Sequence, residues 1–193
     1  MPEPRARRPA ADRREEMLDA TIDIVARQGL RALTLRAVAQ EVGVSHPLVA
    51  HHFGTRDRLL EAAVRHSMTR TESIATPQTP SGRVEDFALD AEQIAAKEPV
   101  LQAFQYEMIL ESTRRPELVP HIHELYAQWR SMTREAMHDV GIRDLDAVSH
   151  LVFAAMDGLV FEQLVLSTTE QTADAMRVLR TMIGLYAAAE ADS

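Results

Sequence analysis

Residues 34–60, TLRAVAQEVGVSHPLVAHHFGTRDRLL, constrain this chain most, because two short helical patterns flank a single Gly-Val step. Gly43 lets the backbone leave a helix through the left-handed region without a Cβ clash. The hydroxyl of Thr34 is suited to accept an orphan amide of the first turn, and Leu35, Val38, Ala39 and Val42 then recur at helical spacing. Beyond the turn, Ser45 or His46 caps a second helix with Pro47 in its first turn, where a missing N–H costs no intrahelical bond. Val49 and Phe53, four apart, face inward. His46, Pro47, Leu48, Ala50 and His51 are left on the outer side, the side that a DNA major groove would meet.

A preceding amphipathic helix is expected over residues 13–28, with Leu18, Ile22 and Val25 on one stripe and Gly29 past its end. Three helices then make a small head. The landmarks in order are that helix, Gly29, Leu33-Thr34, Val38-Ala39, Gly43-Val44-Ser45, His51, Phe53 and Arg56-Asp57-Arg58-Leu59-Leu60. This pattern, over about fifty residues, resembles the TetR family of bacterial one-component regulators. The chain departs from the family's commonest form at Ala50, where many members carry a tyrosine, at His52, often an aromatic, and at Arg56, often a lysine. Arg56 keeps the charge at the start of the fourth helix and is expected to grip a phosphate.

The formal net charge of −8 suits a DNA binder only once it is divided along the chain. Residues 1–60 hold ten Arg against eight Asp or Glu (+2), and the rest holds eleven basic against twenty-one acidic residues (−10), which sum to −8. A mildly cationic head approaches phosphates, while the acidic body either stays clear of the duplex or is an ordinary solvated surface. With no cysteine, disulfides and thiolate zinc sites are excluded. The arginine-rich start lacks the apolar run of a signal peptide, so a cytoplasmic protein is expected. The most apolar stretch, residues 151–166, includes Asp157, Glu162 and Gln163 and is too short to span a bilayer.

The chain is expected to be all-α: a helix-turn-helix DNA-binding head over residues 1–60, with 1–12 a flexible basic arm, and a helical body over residues 61–193. After a fourth helix at 56–71 and a Pro/Gly-rich connection, helices are expected over 84–97, 99–114, 116–140, 145–167 and 170–189. The fourth of these five, at 145–167, is apolar almost all round and must be covered on every side. Thr168 and Gln171 offer the last helix a capping box.

Phe104, Met108, Tyr126, Trp129, Met132 and Phe153 suit the lining of an adaptable cavity and equally suit plain core. Asp157 lies among apolar neighbours, where a carboxylate is costly unless paired. It either anchors a cationic or hydroxylated ligand, pairs with an arginine across a dimer, or reaches solvent; the structural accounts are the simpler ones. His121 and His123 point to different sides of a helix, so no metal site is expected, and no glycine-rich phosphate loop or nucleophile elbow suggests catalysis or a cofactor.

The resemblance implies a homodimer joined through the last two helices, with paired heads on a double-stranded, pseudo-palindromic operator. It also implies a small-molecule effector that moves the fourth helix and lowers operator affinity, and the aromatic and methionine composition of the body suits an apolar or aromatic one. Thr34, His51, Arg56 and the basic arm are assigned to phosphates, and Ser45, His46, Pro47 and Leu48 to base edges. The alternative is a helical small-molecule-binding protein that has lost DNA reading and acts through protein interaction.

Overall fold

The computed structural model describes residues 10–73 and 77–192. Nine α-helices and three 3-10 turns, with no strand, make up these described residues. The head comprises α1 (Ala10–Gln28), α2 (Leu35–Val42) and α3 (His46–Phe53), followed by α4 (Arg56–Glu72). The body comprises α5 (Ala91–Lys97), α6 (Pro99–Ser112), α7 (Val119–Val140), α8 (Leu145–Gln163) and α9 (Thr169–Ala191). The helix expected from residue 13 begins at Ala10, so residues 10–12 of the expected arm are helical and the rest of the arm lies outside the described residues.

The turn forms as its residues dictate. The Thr34 hydroxyl accepts from the Ala37 amide at 3.0 Å, and Gly43 sits at φ 68°, ψ 37°. Val38, Ala39, Val49 and Phe53 are buried against α1 and α4. That core does not stop at the head. Leu101, Phe104 and Met108 of α6 join it, together with Leu118 and Ile122. A second core, reaching from Met68 of α4 to Met176 and Ile183 of α9, fills the body. The fourth helix therefore contributes to both cores, and any displacement of it is felt by the head.

The continuous helix expected over 84–97 does not form. A 3-10 turn at Val84–Asp86 is followed by Phe87, fully buried, and Ala88 at φ 47°, before α5 starts at Ala91. The carbonyls of Phe87 and Ala88 accept instead from the Arg180 guanidinium, from Nε at 2.7 Å and Nη2 at 2.9 Å. Burying the Phe87 ring contributes about 1.5–3 kcal/mol, and the arginine fork satisfies the carbonyls that the break exposes. The helix expected over 145–167 ends at Gln163, where amides of residues 165–167 turn back onto the Glu162 carbonyl. Thr168 and Gln171 then form the capping box of α9.

Candidate DNA interface and effector cavity

Ser45, His46, Pro47 and His51 are exposed on one side of α3, and Leu48 is half-buried against the head core. Ser45 is the N-cap of α3 but makes no side-chain cap bond, so its hydroxyl is available to another partner. The exposed Thr34 uses its oxygen as an acceptor and retains a proton to donate.

Arg56 is occupied differently from the expectation. Its Nε donates to the Leu33 carbonyl at 2.7 Å and its Nη2 to the Leu30 carbonyl at 2.6 Å. The planar fork thus clamps the start of α4 to the turn between α1 and α2, which leaves Nη1, 3.9 Å from Asp57, as its remaining nitrogen. A set of cations that sequence reasoning missed lies nearby: Arg14, Arg58 and Arg65 surround a shallow recess with His51 and His52, and Glu61 is its acidic member. The Arg14 guanidinium stacks 5.2 Å from the centre of the Phe53 ring. Positions 58 and 65 are two turns apart on one helix face, a spacing legible in the sequence. The approach of Arg14 from α1 is not.

In the body, α4, α5, α6, α7 and α8 line a small cavity of about 50 Å³ that opens to solvent. Of the residues expected to line a pocket, Tyr126, Trp129, Phe153 and Asp157 do so. Phe104 and Met108 are instead fully buried in the head–body core, because α6 presents another face to the cavity, and Met132, one turn beyond Trp129 on α7, is half-buried away from the lining. On α6 the inward face is Gln102, Gln105 and Tyr106, at i, i+3 and i+4.

Asp157 is half-buried and points inward. The Tyr106 hydroxyl shares its proton between the Asp157 backbone carbonyl at 3.0 Å and Oδ1 at 3.1 Å, and Oδ2 accepts from the Tyr126 hydroxyl at 3.2 Å. Among the described residues no cationic side chain pairs with it. Burial pushes the Asp157 carboxyl above its ordinary pKa, and the two phenol hydrogen bonds oppose the shift without cancelling it. Burial, and then the Asp157 charge, push both phenols far up, so they remain protonated donors. The Tyr126 ring meets Phe153 edge-on at 5.4 Å and the Tyr106 ring meets Phe161 at 4.9 Å. The result is an aromatic chamber with one carboxylate in its wall.

The chamber touches the head through α4. Gln105 Nε2 donates to the Thr71 hydroxyl at 2.9 Å and lies 3.3 Å from that of Ser67. One turn away on α4, Arg70 donates to Asp19 of α1 at 2.8 Å and to Glu98, at the head of α6, at 2.6 Å. His66 meets the same Asp19 oxygen at 2.9 Å. Cavity wall, α4 and head are thereby joined by short polar contacts.

Among the described residues no helix is long and apolar enough to cross a membrane. The outer faces of α8 and α9 are nevertheless apolar. Leu151 is 67% exposed, Phe161 51%, Met182 60% and Leu185 68%. The cover expected all round α8 is therefore missing on this side of the single chain.

Family models match both parts of the chain: that for bacterial regulatory proteins of the tetR family over residues 17–63, and that for the tetracyclin repressor-like C-terminal domain over residues 81–185. The HTH-type transcriptional regulator BetI of Paraburkholderia phytofirmans is 35% identical over 101 residues, 48% of this chain and 51% of that protein. The chain thus spans about half the length of that relative, whereas BetI of Burkholderia thailandensis is 29% identical over 191 residues, 93% of this chain and 95% of that one. A TetR-family regulator from a Rhodococcus species superimposes with a TM-score of 0.77 at 20% identity, over 90% of this chain and 99% of that one. A transcriptional regulator from Saccharomonospora viridis, solved in complex with choline, does so with a TM-score of 0.69 at 17% identity, over 90% and 96%. At these identities the two structures bear on the fold alone.

Proposed function

Because the chain belongs to the tetR family of bacterial regulatory proteins, we propose that it is a homodimeric DNA-binding repressor released from its operator by a small organic cation. Residues 1–60 read the duplex, and residues 61–193 hold the effector and the dimer contact. Ser45, His46, Pro47 and Leu48 meet base edges, and Thr34, His51, Arg58 and Arg14 meet phosphates. The stripe Leu151, Ala154, Gly158 and Phe161 of α8, beside Val178, Met182 and Leu185 of α9, supplies the surface for a second copy. A Cβ added at Gly158 would meet nothing within its own chain, which leaves room for a closely packed partner helix. Two heads are needed to read two half-sites.

The effector class rests on Asp157, held between two phenols in an aromatic chamber. Ring faces attract a quaternary ammonium through their quadrupoles, and a carboxylate beside them adds charge that neutral phenols cannot offset. The aromatic walls match the apolar effector expected from the sequence, and the carboxylate adds a positive charge to that requirement. Choline, carried by the Saccharomonospora protein, is the natural first probe. An effector loosens DNA binding only by preferring the conformation with α4 displaced, and α4 forms part of the chamber through Thr71.

The test is footprinting on the DNA upstream of the chain's own gene at several salt concentrations, without and with choline. A two-fold symmetric, salt-sensitive footprint that choline erases is expected. Failure to protect this or any genomically selected fragment would refute the regulator, and a footprint indifferent to choline and other organic cations would refute the effector class alone.

A further inference from the structure

Two glutamines on the inner face of α6 have opposite fates. Gln105 commits its amide to the hydroxyls of α4. Gln102, one turn earlier, is 4% exposed, lines the chamber, and its Nε2 finds no acceptor in the protein. A buried donor left unmet costs as much as a lost hydrogen bond, so such groups are few in folded chains. This one faces the same space as Asp157. Tyr106, which donates to Asp157, follows Gln102 by four residues, so the two side chains leave the same face of α6 one turn apart, with their Cα atoms about 6 Å apart along the axis. That separation suits a small molecule with charge at one end and an acceptor at the other. Each Asp157 carboxylate oxygen already faces a phenol hydroxyl, the Tyr106 proton being shared with the Asp157 carbonyl, which suits a cation that offers no N–H of its own.

We infer that Gln102 is a specificity-determining residue that donates its amide N–H to an acceptor oxygen on the effector. The chamber therefore selects quaternary ammonium compounds bearing an oxygen two or three bonds from nitrogen over those with a plain hydrocarbon tail. This rests on the cationic-effector reading above and adds to it a second recognition point. Methyl groups on the nitrogen lie against the rings, the charge faces Asp157, and the oxygen completes the amide.

Trp129 is the chain's single tryptophan and lines the chamber, so its fluorescence reports binding directly. Two probes of nearly equal shape separate charge from hydrogen bonding: acetonyltrimethylammonium, with a carbonyl acceptor, and isobutyltrimethylammonium, without one. The unaltered protein is expected to bind the carbonyl compound about tenfold more tightly. In Gln102→Met, similar in length but without a donor, that ratio falls to about one through loss of affinity for the carbonyl compound. Gln102→Leu, which also lacks a donor and carries no titratable group, loses the preference as well and serves if the methionine variant does not fold. Equal affinities in the unaltered protein, or a preference surviving both substitutions, would overturn the role of Gln102 while leaving the cationic effector intact. Binding of neither probe would overturn both.

Discussion

Arg56 separates two accounts of the same residue. As a phosphate grip, it would lose a contact to DNA on truncation and nothing else. As the clamp seen here, it holds α4 to the turn before α2 through charge-assisted bonds of 2.7 and 2.6 Å to the carbonyls of Leu33 and Leu30. Hydrogen bonds to charged groups contribute about 1.5–3 kcal/mol each when buried. The side chain is 35% exposed, so solvent screening and partial rehydration of the carbonyls reduce the pair to about 2 kcal/mol in all. Arg56→Ala is therefore expected to lose about 2 kcal/mol in urea unfolding, followed at one fixed protomer concentration. Arg56→Lys should lose nearly as much, because an ammonium keeps the charge but cannot span two carbonyls as a fork does. Measured where both variants are folded, the dependence of operator affinity on salt should keep its slope. The clamp is refuted if Arg56→Lys is as stable as the unaltered protein, or if Arg56→Ala keeps its stability while the slope falls by about one.

The pH dependence of effector binding follows from Asp157, whose pKa burial raises in the folded chain. The folded state holds this proton more tightly than the unfolded state, so the stability the group contributes is present at acid pH and lost as pH rises through the raised pKa. Affinity for a cation runs the other way and should increase over the same interval. Asp157→Asn should remove that pH dependence and weaken choline binding about tenfold or more, and a retained pH profile in tryptophan titrations would argue against the assignment. Arg70→Gln cuts the bridges to Asp19 and Glu98; choline affinity should stay within about twofold while choline-driven release of DNA weakens by about fivefold or more, and unchanged release would place the coupling elsewhere. Leu185→Glu puts a charge on an apolar surface that is 68% exposed in the single chain. It should give a helical monomer in sedimentation with operator affinity reduced about a hundredfold or more, whereas a dimer of full affinity would exclude the α8–α9 face as the contact.

What could be read along the chain is what local geometry decides. Gly43 had to be left-handed and is, Thr34 had to cap α2 and does, and Thr168 with Gln171 closes the capping box of α9. Each depends on atoms three or four residues apart, whose distances the helix itself sets. The cost of Asp157 among apolar neighbours was legible for the same reason, as was the apolar character of α8 all round.

What could not be read are the partners, because these depend on how helices cross and rotate. Arg56 reaches carbonyls 23 and 26 residues away, and no pattern in RDRLL distinguishes a clamp from a phosphate contact. The same holds for Arg180, whose hold on Phe87 and Ala88 breaks an otherwise sound helical pattern from a distance of more than ninety residues. Phe104 and Met108 have the composition of a pocket wall, yet the rotation of α6 turns them to the head core and turns Gln102, Gln105 and Tyr106 to the chamber. Composition and periodicity determined that this is a helical chain with a three-helix head, since burial of one stripe per helix leaves few other arrangements. Tertiary packing alone decided that Tyr106, Tyr126 and Asp157 converge while one of two similar glutamines is left free. Convergence is a matter of helix rotation, and a rotation of one residue, about 100°, exchanges a wall for a core.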